Sequence, residues 1–509
     1  MLPGKDSDTF SIYVDLPEGS SVLQTKKVTT CIAKELQNED IVTSISVFLA
    51  EGLPLDFAGM VKGSALKDGE NVSEIMVNIK RATQRDEQSY NFVHRIRPIV
   101  QDRCSFENAN IKFIELPSGP PVLADVVAEV YGGVDFTNRL HFSKKIAEVF
   151  KKQKTLVDID VLADEPYTKY SLILNNNKVL KSKVSLEQVK KILYLAFEGM
   201  TVGVVNVSTA QDQIPIFLRL DESRLFTEFS KEDVLSKLSN LKLMNTLGMM
   251  IPLSELVSIK EELQEPTLTS KNLNPMINVI AQTDMDSQIY PLLDLRTYIL
   301  ENFTDEYSIR ESELLNLILV DKKTKELFEI KFDGELKVTI DTFIELGGAF
   351  IGALVLIFLL MVVYYKNFAI AGAIVLASFI SIIGVIFGHL VMDIITTDTF
   401  YLTATSLIGF IALIGINSRN SLLIIDFAKQ LMEEKSISAS KAISTATATR
   451  AKPILLTVLA IVFASSLLAS DAVFGGLGVA LIGGTLIAYF VSIFFVPVII
   501  LNSLKKLEL

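Results

Sequence analysis

Hydrophobic positions follow two different rhythms along this chain. Up to about residue 340 they alternate with polar residues or recur in short amphipathic stretches; from Asp341 onward they run together. "FSIYVDL" (10–16) alternates as a half-buried strand does, and "GSSVLQTKKVTTCIAKELQ" follows as an amphipathic helix. "IVTSISVFL" and "SEIMVNIK" read as further strands. A second set begins at "DVVAEVYG" (125–132), continues through a helix near 137–151 and reaches a strand at "LVDIDVL". These are strand–helix–strand units of the split βαβ, ferredoxin-like kind. "LPSGPPV" (116–122) is a proline-set turn between the two sets and marks a subdomain boundary. Residues 185–270 fit the pattern less well and read as an insertion. "MINVIAQ" (276–282) resumes it, followed by a helix around Ile289–Glu301.

The later rhythm gives five apolar runs of spanning length, about 20 residues each: near 344–365, 369–391, 399–427, 453–470 and 474–500. Lysines and arginines fall on one side of them only. Lys366 follows the first run; Lys429, Lys435, Lys441, Arg450 and Lys452 follow the third; Lys505 and Lys506 close the chain. The gaps around Asp393–Asp398 and Ser470–Ala472 hold none. The positive-inside rule then starts the chain outside and ends it in the cytoplasm. Tyr364, Tyr365, Tyr401 and Tyr489 are the expected interfacial aromatics. Gly348 and Gly352 in the first run, and Gly476, Ala480, Gly484 and Ala488 in the last, are spaced to let helix backbones approach closely. An exported first region implies an export signal, and "MLPGKDSDTF" has neither a basic start nor an apolar stretch. The expectation is a missing piece upstream.

Charge changes the picture in two ways. The net charge is −11, and the nine acidic and nine basic residues of 341–509 cancel, so the excess lies in the first region. An acidic surface argues against nucleic acid. Chemistry is sparse: three scattered histidines (His94, His141, His389), no phosphate loop, no nucleophile elbow and no metal-spaced cluster. Neither an enzyme, a cofactor nor a resident metal is expected. Cys31 and Cys104 are too few for a disulfide framework; whether they pair or stay free is open, with unpaired thiols the expected state.

One stretch breaks the oil. "GINSRNSLLIIDF" (415–427) puts Arg419 between asparagines in a spanning run, with Asp426 seven residues on and therefore on the same helix face, about 10 Å away along the axis. A charge at the bilayer centre costs at least about 2.5–3.5 kcal/mol. Either Arg419 snorkels to the headgroups near the cytoplasmic end, or it faces the bundle interior and pairs with carboxylates on a neighbouring helix.

Together, "MLPGKDSDTFSIYVDLPEGSS", "LPSGPPV" with "AEVYG", "GINSRNSLLIIDFAKQLM", "ATATRAKPILLTVLA" and "FGGLGVALIGGTLIAYFVSIFFVPVII" resemble the resistance–nodulation–division (RND) efflux permeases of the hydrophobe/amphiphile exporting type. The resemblance covers nearly the whole chain and implies a C-terminal half only. It implies a membrane α-helical bundle of five helices (341–509) plus α+β periplasmic porter subdomains of ferredoxin-like units. Their expected ranges are 1–120, 121–184 and a return segment at 273–340, with a docking insertion at 185–272. It implies a proton relay at Arg419, Asn420, Thr457 and Arg450, with Asp426 at the cytoplasmic rim. The paired aspartates answering Arg419 would lie in the missing N-terminal half, on a separate chain or an upstream frame. Further implied are a periplasmic adaptor protein, an outer-membrane channel, a homotrimer and an inner-membrane location in a lipid bilayer. Heavy-metal export and a non-transporting fragment or assembly partner are the alternatives.

Overall fold

A computed structural model describes residues 6–54, 57–62, 68–115, 122–209, 213–220, 230–284, 287–396, 400–471 and 473–505. Residues 116–121 of the expected boundary turn, Asp398, Ala472 and Lys506 lie outside them.

The first subdomain runs β1 (Thr9–Asp15), α1 (Val22–Gln37), β2 (Val42–Glu51), β3 (Asp68–Ile79), α2 (Ser89–Cys104) and β4 (Asn110–Ile114). Its antiparallel sheet has the order β2-β3-β1-β4, so each strand–helix–strand pair is split by one inserted strand. Register places Ile12 opposite both Ile75 and Phe113. Val28, Ile32 and Leu36 of α1, and Phe92, Ile96 and Val100 of α2, recur every four residues and close the core over Phe10, Ile12 and Val14. Because both helices lie on one face of this sheet, two cysteines 73 residues apart come to a Cα–Cα distance of 5.8 Å. They form the disulfide Cys31–Cys104, which corrects the expectation of unpaired thiols.

The second subdomain repeats the topology: β5 (Val126–Gly132), α3 (Phe136–Phe150), β6 (Leu156–Leu162), β7 (Asn274–Thr283), α4 (Ile289–Asn302), then β8 (Tyr307–Ser312), β9 (Asn316–Asp321) and β10 (Leu327–Asp333). In its seven-stranded sheet β5 lies between β7 and β10, β10 leads through β9 to β8, and β7 also pairs with β6 and with the short strand Thr269–Lys271. Val130 sits opposite both Ile277 and Ile330, and Phe142, Phe328 and Tyr307 pack ring against ring beneath.

A separate unit, Asp164–Pro266, departs between β6 and β7. It begins and ends earlier than the 185–272 expected, because the strand Thr168–Leu174 pairs with Val257–Leu263 and belongs to it. Its own core gathers Val189, Val234, Leu238, Leu253 and Leu256.

Among the described residues, five helices are long and apolar enough to cross a bilayer. Gly334 (φ 91°) turns β10 into α5 (Glu335–Tyr365); a Cβ there would stand 2.5 Å from the Ala124 carbonyl. Leu336 and Ile340 of α5 still belong to the second subdomain's core, so sheet and helix are one continuous piece. The second span is α6 (Phe368–Ile380) with α7 (Ile382–Ile395), separated at Ser381, whose hydroxyl donates to the Ser378 carbonyl at 2.6 Å. Then come α8 (Ala404–Lys435), α9 (Ala439–Ala469) and α10 (Gly475–Phe490), a single π-helical turn (Val491–Phe495) and α11 (Val496–Lys505). The helices outrun the apolar runs at their ends: α9 starts at Ala439 rather than 453, since Ser, Thr and Lys continue a helix beyond the bilayer.

Small residues behave differently at the two ends of this bundle. A Cβ on Gly476 would overlap the Thr403 and Ser406 hydroxyls, and one on Gly484 would overlap Leu413; Ala480 is fully buried against Gly409. Here α10 meets α8 at backbone distance. Gly348 and Gly352, expected to pack in the same way, lie in the open on α5: a Cβ added at either would meet nothing within 4 Å among the described residues. Gly484→Leu should therefore lower the thermal unfolding midpoint of the detergent-purified chain, by overpacking worth about 1–3 kcal/mol. Gly348→Leu should leave the midpoint unchanged.

Candidate functional site

The polar stretch of α8 is divided between two faces. Asn417, Ser418, Asn420 and Ser421 are buried, each at or below 4% exposure. Asn417 accepts from the Ser492 hydroxyl at 3.0 Å and reaches Ser378 Oγ on α6 at 3.5 Å. Ser492 lies in the π-turn, whose extra residue per turn aims that side chain at α8. The hydroxyls of Ser418 and Ser421 are buried with no hydrogen-bond partner among the described residues.

Arg419 lies on the other face. It is exposed along a stripe with Ile408, Ala412, Gly415 and Leu423, and it is the one charge in that stripe. No carboxylate among the described residues forms an ion pair with it. Its position on α8 is midway, eight residues or about 12 Å before Phe427. This chain's own five helices thus leave the guanidinium outside their core.

Asp426 does not answer Arg419. Its carboxylate accepts from the buried Tyr365 at 2.7 Å and from Tyr364 at 3.3 Å, both at the end of α5. The Lys429 ammonium stands 4.6 Å from the Tyr365 ring centre, giving the pair a cation beside it. Tyr365, read from sequence as an interfacial aromatic, is instead 7% exposed and anchors α5 to α8. Thr457 is half-buried on α9, and its hydroxyl donates to the Pro453 carbonyl one turn back, so it is satisfied within its own helix. Arg450 stacks at 4.7 Å on the Phe427 ring, and its Nε is buried without an acceptor among the described residues. Of the expected relay residues, the chain brings Arg450 beside Phe427 of α8, whereas Thr457 and Arg419 make no side-chain contact with each other in the hydrogen bonds observed.

The sequence marks the tyrosine pair as interfacial aromatics but singles out neither Ser492 nor Ser378. Their signal was a lone serine within an apolar run, which is ambiguous because such hydroxyls can bond their own helix. His389 is a similar case. Buried on α7, it meets the Val385 carbonyl and, at 2.8 Å, the Ser406 hydroxyl at the start of α8.

The AcrB/AcrD/AcrF family model matches residues 1–292 and 312–502. The chain belongs to that family of RND efflux permeases. Among curated RND-related proteins, the swarming motility protein SwrC of Bacillus subtilis is 22% identical over 362 residues, 70% of this chain and 31% of that protein. The multidrug export protein AcrF of Escherichia coli is 30% identical over 149 residues, 28% of this chain and 14% of AcrF. The solvent-resistant pump membrane transporter SrpB of Pseudomonas putida is 27% identical over 158 residues, 30% of this chain and 14% of SrpB. A crystal structure of a heavy metal efflux pump superposes with a TM-score of 0.70 at 16% identity, covering 99% of this chain and 48% of that one. At that identity the match establishes the fold. The chain spans about half the length of the solved heavy metal efflux pump and less than a third of the curated relatives it matches.

If Tyr365 and Asp426 act as one contact, Tyr365→Phe and Asp426→Asn should each destabilise the detergent-purified chain by on the order of 1 kcal/mol. The double variant should lose little more than either single one. Thermal unfolding of the four proteins checks this, and strictly additive losses would contradict it.

Proposed function

We propose that this chain forms one side of a proton-driven RND transporter that exports hydrophobic or amphiphilic compounds. The observation that carries this reading is the exposed Arg419 on an otherwise apolar face of α8, with no carboxylate among the described residues paired to it. Left in lipid, the charge costs at least about 2.5–3.5 kcal/mol. Packed against helices that supply carboxylates, it becomes the fixed cation of a proton site. A nearby cation favours the ionised carboxylate and lowers its proton affinity. Taking up a proton from outside weakens the ion pair and lets the helices repack, with the bundle as the two-state element. Thr457 would complete the polar path and Arg450 would stand at its cytoplasmic mouth, while Asn420 packs within its own chain. Asp426, held by two tyrosines, serves as an anchor of α5 to α8.

An arginine in this role has consequences of its own. Its planar fork can hold two carboxylates at once and does not deprotonate, so it acts as a permanent counter-charge. On this reading the two α/β subdomains are the porter region outside the inner membrane, and the unit Asp164–Pro266 is the docking region facing an outer-membrane channel. A periplasmic adaptor and a trimeric assembly complete the proposed pump.

Metal-ion export is the second reading, raised by the heavy metal efflux pump that shares the fold. Among the described residues no group of three His, Cys, Asp or Glu is placed to hold a metal ion, and the export test below distinguishes the two readings.

The test uses cells that produce this chain together with the remaining RND segments. Arg419→Ala should reduce dye and detergent export at least tenfold while the chain still reaches the membrane, and Arg419→Lys should retain part of it. Undiminished export by Arg419→Ala would overturn the relay. Protection against metal ions alone would favour the second reading. Absence of any export by the unsubstituted assembly would favour a non-transporting partner.

A further inference from the structure

The two α/β subdomains meet edge to edge without sharing a sheet. β4 is an outer strand of the first sheet and β6 an outer strand of the second. No backbone hydrogen bond joins them among the described residues. Two apposed strand edges ordinarily pair through their backbones, and a continuous ladder would have welded the subdomains together. Carboxylates take the place of that ladder here. The Phe113 amide of β4 donates to Asp158 Oδ2 at 3.0 Å, Gln101 Nε2 of α2 donates to Asp158 Oδ1 at 3.1 Å, and Asn110 donates to Asp160 at 3.1 Å. Lys112 pairs with Asp160 as well.

At the centre is Arg97 of α2, its side chain 5% exposed. Nη1 bonds Asp284 Oδ1 at 2.8 Å, just beyond β7, and Nη2 stands 3.7 Å from Glu115. Nε lies 3.3 Å from Asp158 Oδ2, close enough for an ion pair but too poorly aligned for a hydrogen bond. The guanidinium also covers the Phe113 ring at 5.4 Å. Asp158 has φ 52°, a left-handed conformation uncommon for a residue with a side chain, at the point where the β6–β7 register shifts. That bulge turns a carboxylate 1% exposed out of the second sheet and into the first subdomain. Strain of this kind persists where surrounding structure enforces it, and it gathers at working parts of proteins.

We propose that Arg97 is an ionic latch between the two subdomains, holding them in the arrangement described here and releasing them as separate bodies when its contacts break. Three carboxylates share one guanidinium, with His94 Nδ1 also 2.8 Å from Asp284, so the contact is strong only while the groups stay apposed. Burial pushes the Glu115 carboxyl up to about 7, opposed by Arg97 and Lys62 and reinforced by Asp125 and Asp158. A third of the Glu115 side chain meets solvent, which screens part of that effect. The seam is held by ion pairs and side-chain hydrogen bonds, with neither a shared sheet nor a backbone ladder across it among the described residues. The proposal rests on the soluble subdomains alone and is independent of the role given to Arg419.

Spin labels at Ser46→Cys on β2 and Glu148→Cys on α3, both exposed, measure the separation of the two subdomains in the full chain. The native cysteines are paired, so the introduced thiols take the label. With Arg97 intact a single narrow distance distribution is expected. Arg97→Gln should broaden it and add a longer population, with circular dichroism and the unfolding midpoint reporting that each subdomain remains folded. Should Arg97→Gln fail to fold, Asp284→Asn, at a partner that is one-fifth exposed, gives the same readout. An unchanged distribution in a folded variant would overturn the latch.

Discussion

A single cation in an apolar helix face constrains the reading of everything else in the membrane part. Arg419 cannot be hydrated deep in hydrocarbon, and its own chain offers it no carboxylate among the described residues. The neighbouring residues Asn417, Ser418, Asn420 and Ser421 point the opposite way, into the chain's own packing. α8 is therefore two-sided. One face is committed within the chain, and the other carries a charge that no carboxylate among the described residues pairs with.

The committed face is built to hold α8 in place. α10 lies against it at backbone distance because glycines leave no side chain between them. The π-turn delivers Ser492 to Asn417, and Tyr365 fastens the C-terminal end of α5 to Asp426. α5 in turn runs unbroken for 31 residues into the core beneath β10. α8 is thus joined to the second subdomain through the two tyrosine–Asp426 bonds and one continuous helix. The seam at Arg97 offers a place where the first subdomain could yield separately.

Much of the architecture was legible because periodicity reports burial. The alternation in "FSIYVDL" and the four-residue recurrence in α1 follow directly from packing on one side. The five spans follow from hydropathy, although their helical ends do not, since polar residues extend a helix outside a bilayer as readily as apolar ones. Pairing of distant elements was hidden. Nothing in sequence spacing says that α1 and α2 lie side by side, so the Cys31–Cys104 bond was missed. The insertion was placed late because its closing strand, Val257–Leu263, pairs with a strand that looks like part of the preceding subdomain. Gly348 and Gly352 carried the same small-residue signal as Gly476 and Gly484, yet only the second pair meets a helix of this chain. Spacing reveals a surface that can pack closely, but what packs there is a property of the whole assembly. Arg419 was legible as an anomaly, and its face was settled only by which α8 residues the other helices cover.

The most direct measurement is a cryo-electron microscopy structure of the assembled transporter containing this chain, determined in lipid at neutral pH. The account predicts carboxylate oxygens from a neighbouring helix within salt-bridge distance of the Arg419 guanidinium. A guanidinium surrounded by acyl chains, or extended to the headgroups with no acidic side chain beside it, would contradict the account.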